Sequence, residues 1–489
     1  MCGILGFSQK RPLTLGDIER GLRYLTFLEH RGPDGQGHEV FTDQGVFIGH
    51  RRLAILDLSN NASQPMTRNG LTVAHNGEIY NFIEIRKNLE AKGLVFSTDS
   101  DTEVLVKAWH QSGVDCLNSF DGMFAFALFD GRNTNLVTDP FGEKPLYVCE
   151  NEDGVYYASE PEPLVRMLGL EFNPSESELA AFLTLGFIPP PDTGFRNLRL
   201  LQPGSHVVIS DGKIKRISRY WTPDVPTVWK SKPLAAKDAD IDAVADALIE
   251  SIRVRLRSDV QMATFLSSGI DSALVAAITS KELNVDIPAI TVGFPGTNVP
   301  DESADAKAIS NHLGLEHQIL YSDGLGAIGN QDDIEMMTSI YGAAIDTPTV
   351  IPALAMSKTA RKSATVALSG VGGDELFYGY NRYQLFYKNQ TLFSLKDPLR
   401  SMASFLLRIT GRKTGSELLK RSDRWTYANF KNVGVLDILD RVPNMRDWGE
   451  DYFKRFCSPH YIASRHLDLT EILPGSFIPA IERSSMRVG

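Results

Sequence analysis

The residue best placed to do chemistry is Cys2, which stands directly after the initiator methionine. Aminopeptidases remove a methionine when a small residue follows it, so Cys2 can become the first residue of the mature chain. Its free α-amine would titrate at about 7.7–8.0, which lets it accept the thiol proton near neutral pH without a histidine. The start of the chain therefore predicts an N-terminal nucleophile. The alternative is a small, buried, apolar cysteine.

Further residues could assist this thiol. Asn76 and Gly77 follow a short predicted strand, where a side-chain amide and a backbone N–H can stabilise an oxyanion. The alternative is a tight turn, for which Asn-Gly is the commonest dipeptide. Arg52 can bind a substrate carboxylate through two hydrogen bonds or lie on the solvated surface, and Asp101 can accept from a substrate ammonium or cap the following helix. The loop 30–34, of sequence His-Arg-Gly-Pro-Asp, either folds over a pocket or lies on the solvated surface.

A second chemical region combines a strand, a serine-rich loop and a helix over 265–274. Small residues there let backbone N–H groups approach a phosphate at the helix N-terminus, and the serine hydroxyls add donors. The Gly-Lys-Ser/Thr of a Walker loop is missing, which favours a pyrophosphate held during adenylation over γ-phosphoryl transfer. The alternative is a serine-rich turn with a helix cap. A strand and glycine turn over 368–377 carry Asp374, and Asp271 with Asp374 could hold Mg²⁺ between phosphates.

Composition excludes several classes of protein. The chain has 489 residues, enough for two to four domains, and a net charge of −10, which argues against a nucleic-acid binder or a protein of anionic membrane surfaces. Its four cysteines are scattered without a CxxC pair, so neither a disulfide framework nor a zinc site is expected. The longest apolar run, 123–129, is far too short to span a membrane, and no leader opens the chain. We expect a cytoplasmic enzyme.

The elements that must position these residues divide near residue 210. In the first part, hydrophobic spacing predicts strands over 45–49, 72–75, 124–129 and 154–158 and helices over 15–28 and 82–92. We expect an α+β domain in which helices cover sheets. A polar stretch with prolines over 221–233 indicates a linker. Beyond about residue 240, predicted strands over 262–266, 289–294, 317–321 and 365–368 alternate with helices. This rhythm predicts an α/β fold with a doubly wound parallel sheet.

The joint order of the motifs in the first part resembles the glutaminase domain of class II glutamine amidotransferases. These motifs are Cys-Gly-Ile at 2–4, His-Arg-Gly-Pro-Asp at 30–34, Arg-Leu at 52–53, Asn-Gly-Glu-Ile-Tyr-Asn at 76–81 and Ser-Asp at 100–101. The resemblance implies a layered αββα fold of the N-terminal nucleophile type over 2–210. It also implies that Cys2 attacks the glutamine amide, with Asn76 and Gly77 as the oxyanion hole. Arg52, Glu78 and Asp101 would hold the backbone groups of glutamine.

The two loops of the second part, Ser-Ser-Gly-Ile-Asp-Ser at 267–272 and Ser-Gly-Val-Gly-Gly-Asp-Glu at 369–375, resemble the asparagine synthetase family. The resemblance implies a linker over 211–239 and an ATP-pyrophosphatase domain over 240–489, short at its C-terminus. By the family's pattern, Leu266 and Val292 would line the adenine pocket, with Ser369 and Gly370 near ATP. The nucleotide phosphates and metal would be held by Ser267, Gly269, Asp271 and Ser272, with Asp374 completing the Mg²⁺ site.

The resemblance implies a carbon–nitrogen ligase that uses ATP and Mg²⁺ to adenylate a carboxylate, which glutamine-derived ammonia then attacks. Aspartate, a sugar uronic acid or a peptide carboxylate are the acceptors left open, because 341–348 lacks the family's usual acidic run. The alternative function is a glutaminase or binding-module remnant without a complete synthetase site. The expected partners are small-molecule substrates, with a homodimer as a further expectation.

Overall fold

The computed structural model describes residues 2–223, 237–293, 301–321, 335, 341–342, 350–388, 395, 397–411 and 465–488. The strands of these ranges are β1 Gly3–Gln9, β2 Gly35–Phe41, β3 Val46–Arg52, β4 Met66–Arg68, β5 Leu71–Ile79, β6 Gly122–Phe129, β7 Asn133–Thr138, β8 Tyr147–Glu150, β9 Gly154–Ala158, β10 Leu198–Leu200, β11 Ser205–Ser210, β12 Lys213–Arg219, β13 Met262–Phe265, β14 Ala289–Gly293, β15 His317–Tyr321 and β16 Val366–Leu368.

The α-helices of the same ranges are α1 Leu15–Leu25, α2 Phe82–Glu90, α3 Asp101–Ser112, α4 Pro161–Leu168, α5 Glu176–Leu185, α6 Asp238–Arg255, α7 Ile270–Ala277, α8 Ser303–Leu313, α9 Val350–Ala360, α10 Gly373–Phe377, α11 Asn381–Lys388, α12 Asp397–Ile409 and α13 Ile478–Met486. A 3-10 turn, Thr26–Arg31, continues α1, and π-helical turns form at Ile278–Glu282 and Asp468–Phe477.

Two six-stranded antiparallel sheets form the first part of the chain. The first has the order β10-β8-β9-β1-β3-β2, and the second has the order β12-β11-β7-β6-β5-β4. Apolar residues from the two sheets, among them Ile4, Ile48, Ala74 and Ala127, meet in one buried cluster. The sheets therefore stack face to face, and this inner layer is the core of the first part.

Helices cover the outer face of each sheet. Leu25 on α1 and Leu164 on α4 pack with residues of the first sheet. Ile85 on α2 and Val104 on α3 pack with residues of the second. The order of layers is helix, sheet, sheet, helix, which confirms the predicted αββα arrangement.

The second part contains a four-stranded sheet of order β15-β14-β13-β16. Its three pairings are all parallel, as the alternating strands and helices predict. The chain runs outward from β13 through β14 to β15 and then returns to place β16 on the other side of β13. In open α/β sheets, ligands bind outside the carboxyl ends of the strands at such a reversal of strand order. A ligand is therefore expected to bind beside the loops that follow β13 and β16.

Three sequence predictions differ from the structure in detail. The strand predicted over 72–75 extends as β5 to Ile79, and the helix predicted over 15–28 ends at Leu25 before the 3-10 turn. Residues 213–219, which fall in the expected linker 211–239, form β12 and pair with β11 in the second sheet. Residues 224–236 of that linker and residues 343–349 of the acceptor region lie outside the described ranges.

Among the helices of the described ranges, none combines the length and the apolar character needed to cross a membrane.

Candidate active site

Cys2 lies where the two antiparallel sheets face each other. It directly precedes β1, a central strand of the first sheet, and its backbone N–H donates to Asn76 Oδ1 on β5 of the second sheet at 2.8 Å. The residue is buried, and its Sγ lies 3.8 Å from the carbonyl oxygen of Leu53. The thiol that sequence reasoning selects is therefore held between the sheets.

The surroundings of Cys2 favour the thiolate. Burial alone raises the pKa of the Cys2 thiol, but His50 opposes this through its charge and a hydrogen bond. The positive N-terminal amine and a backbone hydrogen bond with Leu53 act in the same direction as His50, and the resulting pKa is about 7. A substantial fraction of the thiol is thus ionised at neutral pH, as a nucleophile requires.

Asn76 and Gly77 lie inside β5, so the tight-turn interpretation of the Asn-Gly pair is wrong. They stand opposite Ala125 and Phe124 of β6. The Nδ2 group of Asn76 is buried and has no hydrogen-bond partner in the described part of the chain. Because a buried donor without a partner costs free energy, this amide is poised for an acceptor that arrives with a ligand.

The strand requires glycine at position 77. Its φ is +139°, and an added Cβ would lie 2.0 Å from the carbonyl oxygen of Met123 on β6. No other residue fits this backbone without displacing the neighbouring strand. A glycine inside a strand also marks a place where another molecule can approach the backbone closely.

One pocket contains five of the six glutaminase residues that sequence reasoning selects. Cys2, Arg52, Gly77, Glu78 and Asp101 all line it. The sixth residue, Asn76, borders it through the hydrogen bond to Cys2.

Arg52 is fixed at this pocket by the loop that follows β3. Its guanidinium donates to the carbonyl oxygens of Asp57 and Ser59, the latter at 2.9 Å. These contacts restrict the side chain, so less entropy would be lost if the guanidinium bound an anionic ligand.

Glu78 and Asp101 give the pocket its negative charge. Burial raises the pKa of the Glu78 carboxyl to about 7, a rise that the N-terminal amine opposes and Asp101 reinforces. Its Oε1 has no partner in the described residues. Asp101 Oδ2 accepts from the N–H of Ile79 at 2.9 Å. The cap of α3 is Ser100, whose hydroxyl accepts from the N–H of Thr102 at 3.1 Å, so Asp101 is not needed as the cap.

Sequence reasoning gave no individual role to three residues around Cys2. His50 on β3 is buried beside the thiol, and its Nε2 lies 3.0 Å from the carbonyl oxygen of His75. Gln64 lines the pocket and accepts from the N–H of His75 at 2.6 Å.

Arg31 is completely buried and donates from Nε to the Cys2 carbonyl oxygen at 3.1 Å. A buried arginine rules out the solvated-surface interpretation for that part of the loop 30–34. The available signals were that Arg31 belongs to the motif at 30–34 and that His50 stands two residues before Arg52.

The serine-rich loop lies between β13 and α7. Ser267 and Ser272 bring their hydroxyls within 2.8 Å of each other, and the N–H of Gly269 donates to Ser267 Oγ at 3.1 Å. The N–H of Ser268 donates to Glu302 Oε2 at 3.1 Å, so this loop already directs an N–H toward anionic oxygen. Such a loop at a helix N-terminus can bind phosphate oxygens.

The second loop packs directly against the first. β16 pairs with β13, and a Cβ added to Gly373 would lie 2.6 Å from Asp271 Oδ1. Burial raises the pKa of Asp271, and the negative charge of Asp374 raises it further. The two carboxyls that sequence reasoning selects for a metal are therefore close enough to repel each other. A divalent cation between them would relieve that repulsion.

The other residues expected to contact ATP lie at the carboxyl ends of β13, β14 and β16. Leu266 directly follows β13 and is buried, and Val292 lies in the adjacent β14. Ser369 and Gly370 follow β16, and a Cβ added to Gly370 would lie 2.8 Å from the backbone carbon of Asp271. All eight residues expected to contact ATP thus occupy one edge of the parallel sheet.

Comparisons with known proteins match two segments of the chain. A family model described as a glutamine amidotransferase domain matches residues 1–221, and one described as asparagine synthase matches residues 243–489. The chain is 35% identical over 392 residues to the glutamine-hydrolyzing asparagine synthetase 1 of Bacillus subtilis. This match covers 78% of the chain and 60% of the relative's length.

Two other relatives show the breadth of the similarity. A putative glutamine-hydrolyzing asparagine synthetase 2 of Methanocaldococcus jannaschii is 30% identical over 460 residues, covering 88% of this chain and 83% of the relative. An amidase named chry2, from Gibberella zeae, is 26% identical over 411 residues, covering 78% of this chain and 60% of the relative.

Proposed function

The chain belongs to the asparagine synthase family, and from this premise we propose that it amidates a carboxylate with nitrogen taken from glutamine at the expense of ATP. In this reaction the acceptor is activated as an acyl-adenylate, and the products are the amide, glutamate, AMP and pyrophosphate. The observation that carries the proposal is the single pocket lined by Cys2, Arg52, Gly77, Glu78 and Asp101. Few other reactions require a nucleophilic thiol beside both a carboxylate receptor and an ammonium receptor.

The first half-reaction releases ammonia from glutamine. Once Met1 is removed, the amine of Cys2 accepts the thiol proton, and Sγ attacks the side-chain amide carbon of glutamine. The Asn76 amide and the Gly77 N–H stabilise the oxyanion of the tetrahedral intermediate. Ammonia leaves with that proton, and water hydrolyses the glutamyl thioester to glutamate and free thiol. The unpaired Asn76 Nδ2 supports this role because it lacks an acceptor in the described part of the chain.

Recognition of glutamine uses charge of both signs. Arg52 binds the α-carboxylate, while Glu78 and Asp101 bind the α-ammonium. The free Oε1 of Glu78 supports this assignment, since a buried carboxyl with a pKa of about 7 needs a cation to be stable as the anion.

The second half-reaction takes place at the parallel sheet. Ser267, Gly269 and Ser272 bind the nucleotide phosphates, Leu266 and Val292 line the adenine pocket, and Ser369 and Gly370 complete the site. Asp271 and Asp374 fit Mg²⁺, which commonly uses one or two carboxylates together with substrate phosphates. When bound, the metal neutralises phosphate charge. In the described residues no group of three or more histidine, cysteine or acidic residues could hold a metal by itself.

We further propose the setting in which the enzyme works. The ranges 2–210 and 240–489 are the glutaminase and synthetase domains, with β12 attached to the first of them. Its partners are glutamine, ATP and a carboxylate acceptor such as aspartate or a sugar uronic acid, and two copies form a homodimer. Free thiols at Cys2, Cys116 and Cys149 support a reducing, cytoplasmic location.

The test separates the two half-reactions. Glutamate release from glutamine measures the first, and ATP–pyrophosphate exchange, screened over aspartate, uronic acids and peptide carboxylates, measures the second. We expect Cys2→Ala to lose glutamine use and to keep ammonia-dependent amide formation. If glutamate is released but no carboxylate supports exchange, the chain is a glutaminase remnant. Loss of both activities in a folded Cys2→Ala protein contradicts the proposal, as does retained Met1 in protein that still deaminates glutamine.

A further inference from the structure

A buried ion cluster joins Cys2 to the last helix of the described chain. Its centre is Arg31, whose side chain has no exposed surface and whose Nε donates to the Cys2 carbonyl oxygen at 3.1 Å. The Cys2 backbone is thus held at both ends, because its N–H donates to Asn76 Oδ1. These two bonds fix the rotation of the residue that carries the proposed nucleophile and its amine.

Two carboxylates from different parts of the molecule hold the Arg31 guanidinium. Glu160, which follows β9 and is the N-cap of α4, accepts from Nη1 at 2.8 Å. Glu482, on α13, accepts from both Nη1, at 3.4 Å, and Nη2. The side chain of Glu482 is 4% exposed, so its charge is shielded from water. Buried pairs of this kind are sensitive to loss of one partner, because the remaining charge is left uncompensated.

The position of α13 is set by the second part of the chain. Ser484 donates to the carbonyl oxygen of Val350 on α9 at 3.2 Å, and Ala480 packs in one apolar cluster with Val350 and Leu354. Helix α9 in turn lies over the parallel sheet. Any shift of α13 relative to the antiparallel layers therefore moves the carboxylate that holds Arg31.

We propose that Glu482 is a positioning residue for glutamine hydrolysis, acting through Arg31 on the backbone of Cys2. The proposal rests on the glutaminase function of Cys2 and adds to it a route by which the synthetase part controls ammonia release. A misplacement of a reacting group by about 1 Å can reduce a rate about 100-fold. Because coupling between sites is reciprocal in binding free energy, glutamine bound at Cys2 also biases the placement of α13.

The test compares Glu482→Gln with Glu84→Gln. Glutamine at 482 keeps the size of the side chain and removes one of the two negative charges that hold Arg31. Glu84 makes a bidentate pair with Arg257 across the same two parts, at 2.6 and 2.7 Å, but contacts neither Arg31 nor Cys2 and does not line the pocket. We expect the kcat of glutamine hydrolysis to fall about 10- to 100-fold in Glu482→Gln, with KM for glutamine changed less than about twofold. Glu84→Gln should retain the wild-type kcat.

A second readout separates positioning from general stability. The rate at which iodoacetamide alkylates Cys2 should fall together with kcat in Glu482→Gln. The alkylation rates of the variant and of the wild-type protein are compared under conditions in which the same fraction of each is folded. If Glu482→Gln does not fold, Glu482→Asp replaces it: this variant keeps the charge but shortens its reach, and kcat and alkylation should still fall together.

Two results would overturn the proposal: wild-type kcat and alkylation in the folded variant, or an equal loss in Glu84→Gln. If the wild-type protein releases no glutamate, the proposed function fails instead. The alkylation comparison still decides whether Glu482 positions the thiol.

Discussion

The acid limb of the pH profile for glutamine hydrolysis depends on two groups in one pocket. Burial raises the pKa of Glu78 to about 7, and the pKa of the Cys2 thiol, raised by burial and lowered by His50, is also about 7. Both groups must lose a proton in the proposed reaction, Glu78 to bind the ammonium and the thiol to attack. Their ionisations influence each other, so the profile reports the pair.

The size of the effect follows from these two values. A group with a pKa of about 7 is about 3% deprotonated at pH 5.5, so two such groups reduce kcat/KM to about 0.1% of its plateau. The logarithm of kcat/KM then falls with a slope approaching 2 per pH unit. In Glu78→Gln only the thiol titrates, so the slope approaches 1 and about 3% of the variant's own plateau remains at pH 5.5. Loss of the charged hydrogen bond lowers that plateau about 10- to 100-fold.

The assay is glutamate release at subsaturating glutamine from pH 5 to pH 9, with circular dichroism at each pH to confirm the fold. Glu84→Gln is the matched control, because hydrogen bonds from Arg257 outweigh the effect of burial and lower the pKa of Glu84 to about 2, and it lies outside the pocket. Its profile should match that of the wild-type protein. The reasoning is refuted if the wild-type limb has a slope of 1, or if Glu78→Gln retains a slope of 2.

Three further predictions concern residues of both sites. Asn76→Ala should lower the kcat of glutamine hydrolysis about 100- to 1,000-fold, measured by single-turnover kinetics, because it removes an oxyanion donor; a change confined to KM would contradict that role. Gly77→Ala should destabilise the fold by about 1–3 kcal/mol in urea unfolding, since its Cβ would lie 2.0 Å from Met123 O; Gly70→Ala, also at positive φ but with open space around it, should cost less. Asp374→Asn should reduce ATP–pyrophosphate exchange at least about 10-fold and leave glutamate release intact, whereas loss of both activities would argue against a separate metal site.

The sequence determined the element types and the chemistry of the residues, because both depend on local order along the chain. Strand-like hydrophobic segments predicted β6, β9 and β15 within a residue or two of their observed bounds. The small residues at 267–272 predicted a loop that could approach phosphate, and the structure forms it between β13 and α7. The residues proposed to act on glutamine could likewise be selected by motif, and five of the six line one cavity.

Tertiary structure alone decided how distant segments meet. The Asn-Gly pair is a turn signal by local preference, but pairing with β6 keeps it inside β5, where Gly77 has a φ of +139°. Local preference is a fraction of a kcal/mol per residue, whereas a buried central strand gains packing and hydrogen bonds along its whole length. Arg31 and Glu482 are 451 positions apart, and no periodicity links them. Their contact exists because the antiparallel layers and α13 share one buried interface, which only the folded chain creates.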